Sequence, residues 1–184
     1  ANDLDGDFTV FYNGPMCGAS APDHFHFQAG TRKFMTVEND FVTLKRRYAV
    51  NSRLTDGVEV TMVDDGIRKM VFLEGTNEMA VEKEFYSIFN RYSDLKHLDE
   101  EPLMNILAWT EGEEFRVVVF LREKHRPARY FAEGTERILL SPASVDIGGV
   151  GVIPVEDDFN RITQEILTEL MTEVFVSREL LLKL

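Results

Sequence analysis

Residues 8–28, FTVFYNGPMCGASAPDHFHFQ, decide how this chain is read. Phe8, Val10 and Tyr12 alternate with Thr9 and Phe11, the period of two that a strand imposes on its side chains. Asn13-Gly14-Pro15 then gathers turn residues and ends the run. After a loop of mostly small residues, His24-Phe25-His26-Phe27-Gln28 resumes the same period until Gly30 interrupts it. The stretch therefore predicts two strands joined by a glycine-bearing loop. On the second strand His24, His26 and Gln28 share one face while Phe25 and Phe27 share the other, which predicts a polar working face backed by core.

Working outward, short β-like runs fall at residues 41–44, 48–50, 58–63 and 69–73, with Asp56-Gly57 and Asp65-Gly66 as hairpin turns. Val81, Phe85, Ile88, Phe89 and Tyr92 recur at spacings of three and four, so a helix is predicted over 77–93. Residues 104–110 and 115–122 read as strands around Glu111-Gly112, and the continuous apolar run 117–120 belongs in the middle of a sheet. Residues 123–151 have no regular period. Phe159, Ile162, Ile166, Leu170 and Val174 predict one long helix over 156–180, with Glu156 and Asp157 suited to its positive end. The expected class is α+β, an antiparallel sheet with packed helices, in two segments spanning 1–93 and 94–184.

Composition limits the partners. The 184 residues carry 32 Asp and Glu against 20 Lys and Arg, a formal charge of −12, which repels phosphate backbones and argues against sequence-independent nucleic-acid binding. An anionic ligand must find a local pocket. Apolar runs such as 117–121 and 180–182 are far shorter than the roughly 20 residues of a membrane span, so no membrane partner and no signal peptide are expected. Cys17 is the only cysteine, which excludes an intrachain disulfide framework and fits a reducing, cytoplasmic compartment.

Two of the four histidines lie two residues apart in His24-Phe25-His26. A neutral imidazole can attack phosphorus and split one difficult transfer into two easier steps, while a neighbouring imidazole or amide orients the ring or binds a phosphoryl oxygen. Small residues in the preceding loop let backbone N–H groups approach such oxygens closely. The rival chemistry is a metal site, because two imidazoles on one strand face can chelate Zn²⁺. Gln28 is a poor zinc ligand and no other His or Cys is close in sequence, so no metal site is expected.

Residues 13–28, NGPMCGASAPDHFHFQ, resemble the active-site segment of the transferase branch of the histidine-triad superfamily. That branch includes galactose-1-phosphate uridylyltransferase, the ATP adenylyltransferases and GDP-L-galactose phosphorylase, and there Gln replaces the third histidine, as at Gln28. The resemblance implies a nucleotidyltransferase or phosphorylase of nucleoside diphosphate sugars or dinucleoside polyphosphates. His26 would form the covalent nucleotidyl adduct, His24 would support it and Gln28 would contact the transferred phosphoryl group. Asn13, Gly18 and Ser20 would add phosphate contacts from the loop. No cofactor is required by the motif, and Mg²⁺ is compatible with it. A weaker similarity to the second half of these enzymes runs through residues 104–109, 115–122 and 144–149. In the family the catalytic strand comes late in its half-domain, whereas His26 lies near the start here. The first histidine-triad-like half is thus expected to be incomplete, with a second chain in a homodimer or a missing N-terminal segment completing the site. The second half would be degenerate. A hydrolase of the same superfamily and a non-catalytic nucleotide-binding or assembly module are the alternative readings.

Arg122, Lys124, His125, Arg126 and Arg129 form the main local excess of positive charge, with Arg122 and Lys124 as candidate phosphate ligands and solvated surface charge as the alternative. Asp23 could tune a histidine or simply form a turn. Lys45, Arg46 and Arg47 read as an exposed strand edge. Trp109 reads as core and His97 as surface. Leu180, Leu181 and Leu182 read as the end of an amphipathic helix.

Overall fold

Apolar side chains on both faces of the central strands require a helical layer on each side, and the chain supplies both. The computed structural model describes residues 2–4, 6–19, 23–97 and 101–184. Seven strands form one antiparallel sheet: β1 (Phe8–Asn13), β2 (Gln28–Thr31), β3 (Ala49–Thr55), β4 (Val58–Asp64), β5 (Lys69–Gly75), β6 (Met104–Glu111) and β7 (Glu114–Leu121). Their order is β2-β1-β6-β7-β5-β4-β3. The hairpin β6–β7 therefore lies between β1 and β5, and strands from either side of residue 93 interleave in one sheet. The chain is α+β, as its patterning predicts.

Between β3 and β4, Asp56 and Gly57 both adopt positive φ (49° and 80°), the pair of values a tight two-residue hairpin turn needs. On one face of the sheet lie α1 (Thr36–Tyr48), α3 (Ser144–Ile147) and α5 (Gln164–Glu173), with Phe41, Phe72, Trp109 and Phe120 at the centre of the core between them. On the other lie α2 (Glu78–Lys96) and α6 (Arg178–Leu181), which bury Val60, Leu73, Ile88, Tyr92 and Leu181. Asn77 caps α2 by accepting the Ala80 N–H at 3.0 Å, and His97 ends it in the left-handed region, exposed to solvent.

Three expectations about elements are corrected. Residues 36–48 form a helix in place of the predicted run at 41–44, and the run predicted at 48–50 is the start of the longer strand β3. Val37, Phe41 and Leu44 supply its buried stripe, and Lys45, Arg46 and Arg47 occupy its last turn, where cations face the negative end of the helix. The predicted helix over 156–180 is divided into α4 (Glu156–Arg161), α5 and α6. Thr163 and Ser177 make the breaks, each accepting the N–H three residues on and so starting a new helix. Residues 24–27 are not a strand; β2 begins only at Gln28. No described helix is long and apolar enough to cross a membrane.

Candidate functional site

β1 and β6 bring the site together. Asn13 and Asn105 are register partners, so their side chains meet at the end of the sheet. Asn105 Nδ2 donates to Asn13 Oδ1 at 2.7 Å and to the Cys17 carbonyl at 2.8 Å. The Ser144 N–H also donates to Asn13 Oδ1, at 2.7 Å, and the Ser144 hydroxyl donates to the Tyr12 carbonyl. Asn13 Nδ2 in turn donates to Gln28 Oε1 at 3.2 Å. A continuous line of hydrogen bonds thus runs from the buried end of β6 to the exposed start of β2.

His24 and His26 keep the alternation read from the sequence although residues 24–27 are irregular. Their rings lie side by side with centroids 5.1 Å apart, while Phe25 and Phe27 both turn to Tyr12, at 5.1 and 5.7 Å. His26 Nδ1 is 3.1 Å from the His24 carbonyl oxygen. A carbonyl only accepts, so Nδ1 carries the proton and, in the neutral ring, Nε2 carries the lone pair. Asp23 Oδ1 lies 3.4 Å from His24 Nδ1, with both side chains exposed. A small depression of about 160 Å³ runs past His24, Asp23, Asn13 and Glu101.

The Phe face is not core: Phe25 and Phe27 are 70% and 62% exposed. They border a second, larger cavity of about 750 Å³ on the α2 side of the sheet, walled by Ile106, Val117, Phe85 and Phe89. α2 packs over β4 and β5 and leaves this part of β6 and β7 uncovered. Tyr12 belongs to both spaces and donates its hydroxyl to Glu101. Burial and that carboxylate raise the tyrosine's pKa well above its usual value.

The loop between β1 and β2 is held differently from expectation. The N–H of Gly14 bonds to the Met104 carbonyl, that of Cys17 to the Gly14 carbonyl, and that of Gly18 approaches His125 Nδ1 at 3.5 Å. These amides are committed within the protein and do not line an anion cradle. Gly18 sits at φ 79°, and a Cβ there would lie 2.4 Å from the Pro142 carbonyl oxygen. Ser20 lies outside the described residues.

Arg122 is the largest correction to the site. It is fully buried, donates to Asn105 Oδ1 at 2.7 Å and to the carbonyls of Pro142, Lys124 and His125, and is no surface phosphate ligand. Its side chain makes no ion pair among the described residues, and burial lowers its pKa. Lys124 is paired with Glu173 and Arg129 with Glu136 and Glu169, while Arg126 stacks on Tyr130, so every cation of the cluster is engaged by its neighbours. His125 has its pKa lowered by burial. Trp109 and Leu181 are buried in the two cores.

Sequence reading passes over Asn105 and Ser144. A signal for the first is present: Asn105 is the one polar residue in the run Met104 to Ala108 and stands at an inward strand position. Among the described residues no group of three or more His, Cys, Asp or Glu side chains could hold a metal ion.

The fold and site define an α+β protein with an antiparallel seven-stranded sheet and a paired-imidazole site at the β1–β2 connection. Residues 1–31, which contain that connection, match the model of a domain family of unknown function, DUF4922. No curated protein and no solved structure matches the chain.

Proposed function

We propose that the chain carries a nucleotidyl-transfer site in which His26 is the nucleophile, acting on a nucleoside diphosphate sugar or a dinucleoside polyphosphate. The observation that carries this reading is the contact between His26 Nδ1 and the His24 carbonyl. It assigns the proton to Nδ1 and leaves Nε2 as a lone pair for an electrophilic phosphorus. Attack by Nε2 forms the N–P bond as the P–O bond to the phosphorylated leaving group breaks. The positive charge gained by the ring is shared through Nδ1–H with the carbonyl oxygen. Phosphate or a sugar phosphate then attacks the same phosphorus, the N–P bond breaks and the imidazole is restored. Gln28 supplies a side-chain contact to the phosphoryl oxygens in place of the loop amides that are already committed.

The non-catalytic reading also has an observation in its favour. Arg122 and Lys124, the expected phosphate ligands, are spent on internal contacts, while Asp23 and Glu101 border the depression at His24. A module that binds nucleotide without chemistry would form a complex but no adduct. Intact-mass measurement after incubation with UDP-glucose, GDP-mannose and diadenosine tetraphosphate separates the two. The wild type is expected to gain the mass of one nucleotidyl group and His26→Ala none. An equal adduct on both proteins removes His26 from its role, and no adduct on either leaves the binding reading. Turnover that depends on added phosphate distinguishes a phosphorylase from a hydrolase.

A further inference from the structure

We infer that Asn13 is a positioning residue, which turns the Gln28 carboxamide so that its NH₂ group, not its oxygen, faces the ligand. The inference rests on the phosphoryl-transfer reading for what the ligand is, and on the hydrogen-bond line alone for how Gln28 is turned.

The direction of that line is fixed by groups that can only donate. The Ser144 backbone N–H points at Asn13, so the Asn13 atom facing it is the oxygen. A guanidinium also only donates, so Asn105 gives Arg122 its oxygen and turns its NH₂ to Asn13, again requiring the Asn13 oxygen. Two unrelated donors therefore force one orientation. Asn13 is left with its NH₂ toward Gln28, and Gln28 must answer with its oxygen. What remains at the exposed end is the Gln28 NH₂. Arg122 reinforces the same polarity, because a buried cation at the head of the line polarises each amide in turn toward donating outward. A Gln28 side chain free to turn would present its oxygen to an anionic ligand part of the time. Its orientation is a property of Asn13, Asn105, Ser144 and Arg122, none of which needs to touch the ligand.

The test uses side-chain amide NMR and binding of pyrophosphate. In the wild type the Asn13 NH₂ is expected to exchange slowly with water and the Gln28 NH₂ at the rate of a free amide. A protected Gln28 NH₂ overturns the proposal without any variant. Asn13→Asp keeps the shape and both incoming donors but cannot donate, so Gln28 must turn to give it a proton. Protection is then expected to move to the Gln28 NH₂, and pyrophosphate affinity to fall about tenfold or more. The carboxylate introduced by this substitution weakens anion binding through its charge alone, so Asn13→Asp is repeated in a Gln28→Met background. A pure charge effect is the same in both backgrounds, whereas positioning disappears once Gln28 is gone. Equal losses in the two backgrounds overturn the proposal. Failure of pyrophosphate to bind the wild type tells against the phosphoryl site, and the exchange rates still decide how Gln28 is held.

Discussion

Gly18 shows how much of the site depends on one missing side chain. Its φ of 79° belongs to the left-handed region, and the Pro142 carbonyl occupies the space a Cβ would need. Gly18→Ala combines both penalties, so urea unfolding is expected to show a loss of about 2–3 kcal/mol. A change below about 0.5 kcal/mol would mean that the loop simply shifts away from Pro142. At this scale the sequence is informative about chemistry and less so about use. The alternation His24-Phe25-His26-Phe27-Gln28 survives as a separation of imidazoles from phenyl rings even without strand geometry. Arg122, in contrast, looks like any surface arginine in a basic cluster. Only the fold of the β6–β7 hairpin, with the Pro142, Lys124 and His125 carbonyls closing round the guanidinium, reveals that it faces Asn105 rather than solvent.

The elements are most legible where a single period runs without competition. α2 and the hairpins β4–β5 and β6–β7 fall close to the expected positions, because each combines a clear repeat with a cap or turn at its ends. α1 escapes a local reading since Phe41, Val42, Leu44 and Tyr48 are aromatic or branched residues, most of which favour strands, and their helical spacing is short. Tertiary contacts settle the matter. Lys45, in the last turn of α1, reaches Glu59 on β4 and Glu74 on β5, and Arg116 on β7 also bonds to Glu74 at 2.7 Å. Burial alone opposes ionisation of Glu74, but these two cations outweigh it and hold its carboxyl below the usual glutamate range. A carboxyl depressed in the folded state stabilises the protein above its unfolded value, near 4.5. That stability is lost as pH falls through the lower folded value. Unfolding measured by urea between pH 6 and pH 3 is expected to show this decline, and Glu74→Gln to flatten it. A variant with the wild-type slope would place the acid sensitivity elsewhere.

For the whole molecule, class is legible and connectivity is not. Most strand positions, the hairpin turns and the central position of residues 117–120 follow from local patterns, and these suffice for an antiparallel α+β assignment. Nothing local states that the β6–β7 hairpin inserts between β1 and β5, because the choice depends on which exposed edges meet after the hairpins have formed. That insertion lets Met104 and Asn105 of β6 hold the β1–β2 loop through Gly14 and the Cys17 carbonyl, and the Cys17 thiol is buried, its pKa pushed up to about 12 by burial. The single thiol thus works as a stopwatch for the loop beside the imidazoles: an aromatic disulfide reagent can reach it only during the moments when residues 14–19 lift away. Labelling in native buffer is expected to run at least about 100-fold slower than in urea. Prompt labelling of the folded chain would show that this loop opens freely and leaves its one thiol open to oxidation.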